Sequence, residues 1–234
     1  LYEMMKAEKE LFLPTRLYFE KQGFSVDGEV KNCDLVAIKN DIVVVAELKK
    51  TFNISLVYQL MERKNITPYV YAVIFRPKNF REKKTKQMLK LVKLLGVGLL
   101  VVSDTSGIIE EIVTPNNDNT GIKVNTEKRN TVSKEFNKRE FKENTGGVNR
   151  KKILTAYREN SIAALCVADT YGVVETRKVK DNIKKAVQSN YYDWFYRIKK
   201  GIYGTTEKGI QAIKSNDFQE VVLFYKSEVE KCLK

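Results

Sequence analysis

The chain has 234 residues, 43% of them hydrophobic and 10% aromatic, which is enough to bury a core and excludes global disorder. It contains no histidine, which excludes Ser-His-Asp and Cys-His nucleophile systems and zinc sites built on imidazole. Its 42 Lys+Arg against 29 Asp+Glu give a net charge of +13, an excess that attracts polyanions.

Any catalysis must therefore rest on carboxylates, lysines, tyrosines or a hard metal held by oxygen. The three dispersed cysteines, Cys33, Cys166 and Cys232, fit reduced thiols of a cytoplasmic protein. No apolar run approaches the ~20 residues that cross a bilayer. The first residues lack the basic-then-apolar layout of a secretory signal. A cytoplasmic location without a membrane is the expectation.

In chain order, a helix is expected from Lys6 to Gln22, closed by Gly23, with Pro14 marking a kink or the true start. Three short strands follow at Phe24–Val30, Asp34–Ile38 and Ile42–Leu48. The third is β-branched and apolar, as a strand buried on both faces should be. Lys39-Asn40-Asp41 reads as the tight turn between the second and third. A helix over Ser55–Lys64, a strand over Tyr69–Phe75, a basic amphipathic helix over Phe80–Leu95 and a strand over Val97–Ser103 complete a mixed sheet covered by helices. Residues 1–114 form this first domain.

Residues 115–148 show no apolar periodicity and read as a basic polar linker. Residues 149–234 become globular again, with helical spacing over Asn149–Asp169. A short helix over Thr176–Asp181, a helix over Ile183–Tyr192, and a hairpin of Trp194–Lys199 with Ile202–Thr205 follow. A last helix starts at Glu207–Lys214. That layout is a winged helix-turn-helix. Residues 115–234, linker included, hold 24 basic and 15 acidic groups.

The chemistry is expected on the first hairpin. Glu47 and Lys49 are two apart on one strand and share a face. Folding about Asn40-Asp41 sets Lys39 opposite Ile42 and carries Asp34 directly across from Glu47. Two opposed carboxylates repel and need a cation. A hard divalent metal, Mg²⁺ with bound waters, would supply it, polarising a phosphoryl oxygen and lowering the pKa of an attacking water. Lys49 would neutralise charge developing on the phosphate or orient the nucleophile.

Asp34 with Glu47-Leu48-Lys49 resembles the motif of the PD-(D/E)XK nuclease superfamily, with Cys33 where the proline of that name stands. The resemblance spans about residues 8–103. It implies a restriction-endonuclease-like α/β fold, metal ligation by Asp34, Glu47 and the Leu48 carbonyl, with Mg²⁺ or Mn²⁺ as cofactor, and a catalytic role for Lys49. It also implies an acidic ligand from the first helix, for which Glu10 is preferred over Glu8. Gln59 and Arg63, four apart on one helix face, are further candidates: the glutamine to reach the active site, the arginine to hold a phosphate. A solvated helix face is the alternative for both. The runs Gly28–Asp34, Glu47–Asn53, Gln59-x-x-x-Arg63 and Arg150–Asn160 are similar to a bacterial family of PD-(D/E)XK phosphodiesterases of unassigned function. Glu29, within the first run, is either an acid supporting the site or an exposed strand residue.

In the C-terminal domain Lys184, Lys185 and Gln188 lie on the expected recognition helix. Arg177 and Lys178 precede it, and Arg197, Lys199 and Lys200 lie on the wing. The cations would neutralise phosphates and Gln188 would read a base edge. Trp194, Phe195 and Tyr203 are expected in the packing of the wing.

The expected function is a metal-dependent phosphodiesterase acting on DNA. Concerted double-strand cleavage would call for a homodimer. The alternative is a catalytically inactive DNA-binding regulator or adaptor that retains the fold.

Overall fold

A computed structural model of the chain describes residues 7–116, 121–142, 144 and 154–234. They cluster into two units, one within Leu1–Lys138 and Lys142–Arg150, the other within Arg139–Phe141 and Lys151–Lys234.

The first unit begins with a 3-10 turn, Glu8–Leu11, that passes into helix α1, Phe12–Glu20. Pro14 stands in the first turn of α1, where backbone N–H groups have no helical acceptor and proline is tolerated. Of the helix expected from Lys6 to Gln22, Lys6 lies outside the described residues, and the helical path within them changes type at Phe12. Strands β1 (Ser25–Val30), β2 (Cys33–Lys39) and β3 (Ile42–Lys49) then form an antiparallel meander. Asn40 takes a left-handed backbone (φ 53°) in the β2–β3 turn, a conformation asparagine tolerates.

Helix α2 (Ile54–Lys64) starts at Asn53, whose side chain accepts the Leu56 N–H. It returns the chain to β4 (Tyr69–Phe75), parallel to β3. Helix α3 (Lys83–Leu94) leads to β5 (Gly98–Val102), parallel to β4. An unforeseen antiparallel strand, β6 (Ile109–Val113), closes the sheet, whose spatial order follows the chain from β1 to β6. The polar, acidic sequence of β6 hides it from a search for apolar alternation. Its Glu111 accepts the Tyr18 and Tyr71 hydroxyls at 2.7 and 3.0 Å.

One sheet face packs Leu35, Val44, Ala46, Leu48, Val73 and Leu100 against Leu11, Phe12 and Phe19 of the N-terminal helical segment. The other packs Val70, Ala72, Ile74, Leu99 and Val101 against Leu56 and Leu60 of α2 and Val92 of α3.

The expected linker is corrected. Within it, Thr126–Lys138 forms helix α4, and its Val132 and Phe136 are buried with Val36 of β2 and Val43 and Val45 of β3. Two apolar residues four apart among lysines, asparagines and glutamates give little periodicity, yet they suffice to seat one helix edge. Asn125 caps α4 by accepting the Lys128 N–H, and its own N–H bonds the Asn65 carbonyl after α2.

In the second unit helix α5 (Ala156–Tyr171) runs through the core, buried on most sides and closed by Gly172 at φ 80°. Residues 149–153 of the expected helix lie outside the described residues. Strand β7 (Val174–Glu175), helix α6 (Asp181–Ser189), strands β8 (Phe195–Lys199) and β9 (Ile202–Thr205), and helices α7 (Glu207–Lys214) and α8 (Gln219–Ser227) follow. The three strands form an antiparallel sheet in the order β7-β9-β8. The short helix expected over Thr176–Asp181 is absent. Thr176 N–H bonds the Gly201 carbonyl, and buried Val179 bridges to Leu233, so the chain there is drawn out between two neighbours. Trp194 and Phe195 are buried in the core and Tyr203 packs against it.

Candidate active site

Asp34 stands near the start of β2 and Glu47 and Lys49 at the end of β3. The register from Lys39↔Ile42 to Leu35↔Ala46 brings Asp34 beside Glu47. Asp34 Oδ2 accepts the Leu48 backbone N–H at 2.9 Å, which fixes its carboxylate against the β3 backbone. The Leu48 side chain is buried on the opposite sheet face, so its peptide group borders the carboxylate pair.

Glu47 is fully buried. Burial, and next the neighbouring Asp34 charge, push its carboxyl up to about 8, against the opposing influence of Arg63. Burial also raises Asp34, although the Leu48 N–H and the Lys49 charge pull it down. Both shifts come first from burial, which disfavours the charged carboxylate.

Part of the compensation comes from α2. Arg63 Nε donates to Glu47 Oε1 at 2.6 Å, Nη2 to the Asn32 carbonyl at 2.6 Å, and Nη1 to Glu62 Oε2 at 3.2 Å. The turn that presents Asn32 carries left-handed backbone at both Lys31 and Asn32. This corrects the phosphate role expected for Arg63: its guanidinium is turned inward onto protein acceptors. Gln59, one turn earlier, has a buried Oε1 without a hydrogen-bond partner among the described residues. It borders a surface depression with Ser55, Tyr58 and Glu62.

Lys49 Nζ pairs with Glu8 Oε2 at 3.3 Å. Glu10 is elsewhere: its Oε1 accepts the Ala7 N–H at 3.3 Å as a cap. The acid that reaches the site from the N-terminal segment is therefore Glu8, and the preference for Glu10 is corrected. In this 3-10 turn Glu8 reaches Lys49 while Glu10 folds back onto the Ala7 N–H. Pro14 was the available signal that regular α-helix did not extend back to these residues.

The donor set can be tested against a divalent cation. Glu47 Oε2 is buried and lacks a hydrogen-bond partner among the described residues, next to a second carboxylate. Hard oxygen donors are the kind that a hard divalent cation takes. The described residues contain no cluster of three or more His, Cys, Asp or Glu able to hold a metal ion, so side-chain ligation would come from the Asp34–Glu47 pair.

Of the residues expected to touch DNA, Arg177, Lys178, Lys185, Gln188, Arg197, Lys199 and Lys200 are exposed and Lys184 is half-buried. Lys178 pairs with Glu175 at 2.8 Å. Arg197, Lys199 and Lys200 lie on or beside the β8–β9 turn, which Gly201 closes at φ 79°.

Comparison with known families matches residues 99–212 to the model described as "Putative PD-(D/E)XK phosphodiesterase (DUF2161)". The matched stretch is similar to that family. It runs from β5 into α7 and leaves Asp34, Glu47 and Lys49 outside it. The six-stranded mixed sheet flanked by helices fits a PD-(D/E)XK-like fold. Curated proteins and solved structures give no match. No helix among the described residues is long and apolar enough to cross a membrane.

Proposed function

We propose that this protein is a metal-dependent phosphodiesterase that cleaves DNA. The first unit would be its catalytic part, and the second a winged-helix-type part that binds the substrate. The carrying observation is the Asp34–Glu47 pair, half-buried Asp34 on β2 beside fully buried Glu47 on β3, with Lys49 on the same face as Glu47. The similarity of residues 99–212 to a PD-(D/E)XK phosphodiesterase family supports the same reading from a different part of the chain.

Asp34, the free Oε2 of Glu47 and the Leu48 carbonyl would hold Mg²⁺ or Mn²⁺. Such an ion supplies a Lewis acid for the phosphoryl oxygen and a water of lowered pKa. Lys49, held at the site by Glu8, would offset charge developing on the phosphate. The Leu48 N–H orients Asp34, and Arg63 orients Glu47 by occupying Oε1. In the second unit α6 and the β8–β9 turn would meet the phosphate backbone through Lys184, Lys185, Arg197, Lys199 and Lys200, with Arg177 and Lys178 alongside and Gln188 facing base edges. Cytoplasmic location, and a homodimer for double-strand cleavage, go with this reading.

Incubation with linear, nicked and single-stranded DNA in Mg²⁺ or Mn²⁺ tests it. Cleavage is expected from wild type and lost in Asp34→Ala, Glu47→Ala and Lys49→Ala. Equal cleavage by wild type and Glu47→Ala would remove the site assignment.

A second reading, a DNA-binding regulator without turnover, is favoured by one observation: Arg63 already occupies Glu47 Oε1, one of the oxygens a metal would need. It predicts a DNA footprint that Asp34→Ala leaves unchanged and no cleavage in either metal.

A further inference from the structure

The positive charge of the first unit is not spread over its surface. Residues 1–114 hold 18 basic and 14 acidic side chains, and seven of the basic but one of the acidic lie within residues 78–93. The other residues of that stretch keep 11 basic against 13 acidic. The whole excess sits on α3 and the loop before it.

Helix α3 exposes Lys83, Lys84, Lys86, Lys90 and Lys93, and none of the five forms an ion pair among the described residues. Lys83, Lys86, Lys90 and Lys93 follow one another at spacings of three and four, which aligns them along one stripe of the helix. The twelve residues of α3 span about 18 Å.

Their placement works against the helix itself. The first turn of α3 holds no acid, and Glu82 makes no side-chain cap. Lysines there oppose the helix dipole, at about 0.3–1 kcal/mol each when exposed. An anion lying along the stripe would reverse that penalty.

We propose that the exposed face of α3 is a binding surface for the phosphate backbone of duplex DNA, belonging to the first unit and separate from the basic residues of the second. The proposal rests on the nucleic-acid half of the function argued above and not on turnover. A straight, rigid stripe of point charges complements a backbone of regularly spaced phosphates. An acidic bilayer is the weaker match. Of the apolar side chains of α3, Met88, Leu89 and Val92, with Leu95 just after it, pack on the sheet, and the exposed Leu91 and Leu94 alone are too small a face to enter lipid as an interfacial helix must.

The test compares three full-length proteins: wild type, K83Q/K86Q/K90Q/K93Q, and a charge-matched control, K9Q/K21Q/K128Q/K134Q, whose lysines are also exposed. Binding to a labelled mixed-sequence duplex of about 30 bp is followed in EDTA from about 50 to 200 mM NaCl. For the α3 variant the slope of log K against log salt should become shallower by about 3, near 0.9 for each phosphate no longer neutralised. Affinity should fall at least tenfold at the lower salt, with a thermal midpoint no lower than wild type. The control should keep its slope within about 1 of wild type. Equal losses in variant and control, no duplex binding by wild type, or tighter wild-type binding to phosphatidylserine vesicles than to duplex would each overturn the proposal. Because EDTA removes turnover, failure here leaves the cleavage test of Glu47→Ala standing on its own.

Discussion

Arg63 and Glu47, sixteen positions apart in the chain, meet at 2.6 Å with the Glu47 side chain fully buried and Arg63 at 10% exposure. A pair in such surroundings contributes modestly while intact but strongly penalises the loss of one member, because the survivor keeps an uncompensated charge in a poor solvent for it. Arg63→Ala is therefore expected to destabilise the first unit by about 3–5 kcal/mol. The double variant Arg63→Met with Glu47→Gln should lose less than Arg63→Ala alone. Urea unfolding followed by far-UV circular dichroism checks both; a loss below about 1 kcal/mol in Arg63→Ala would show that the pair is solvated.

Glu159 makes a pH-dependent contribution in the second unit. Its Oε1 accepts the Glu140 and Phe141 N–H groups and the Tyr225 hydroxyl, while Oε2 is buried without a partner among the described residues. Burial, opposed by those three hydrogen bonds, raises its carboxyl from 4.5 to about 7. The folded state then holds a proton that the unfolded state has released between these two values. Stability from this group is full below pH 4.5 and is lost as pH rises through about 7. The limiting slope is about 1.4 kcal/mol per pH unit. Glu159→Gln should flatten that part of the profile. The chain's single tryptophan, Trp194, lies in this unit's core, so its fluorescence reads the transition selectively. Identical slopes in wild type and variant would show that Glu159 stays ionised.

Gly98 opens β5 beneath an aromatic ring. A β-carbon there would lie 2.4 Å from Tyr71 Cδ1, and that ring is buried and tied to Glu111. Gly98→Ala is expected to destabilise by about 1–3 kcal/mol through overpacking. Tyr71→Leu in the same chain should recover part of the loss, as thermal melts of the single and double variants would reveal.

Asn53 is the entry to the helix that carries Gln59 and Arg63. Its side chain accepts the Leu56 N–H at 2.9 Å, and Asn53→Ala should cost about 1 kcal/mol, with Asn53→Asp close to wild type. Equal stability of all three by denaturant titration would mean that water replaces the cap.

The hairpin that holds Asp34 and Glu47 was legible because strand alternation and a two-residue turn fix register by counting alone. Tyr69–Phe75 was legible to the residue for a related reason, being an apolar β-branched run bounded by turn signals. Other features depended on facts that a linear pattern does not hold. Glu8 and Glu10 differ only through the local change to a 3-10 turn, and the inward course of Arg63 depends on where α2 settles on the sheet. Helix α4 escaped notice because Val132 and Phe136 are its main apolar anchors, and β6 because its acids serve distant partners, Glu111 the Tyr18 and Tyr71 hydroxyls and Glu110 Arg76. The Thr176–Asp181 segment had a plausible helical composition that bonds to Gly201 and Leu233 override.

The agreement between chain order and strand order in the large sheet bears on how the molecule comes to exist. Each strand from β1 to β6 finds its partner in the one made just before it, through tight turns in the opening meander and through the crossover helices α2 and α3 for the parallel pairs, so pairing can advance as the polypeptide is synthesised. The last piece of that unit is α4, and Val36, Val43 and Val45 await it. On a ribosome these valines would have only Val30, Cys33 and Ile66 for cover until α4 emerges, so the nascent hairpin carries an apolar surface that the finished unit does not.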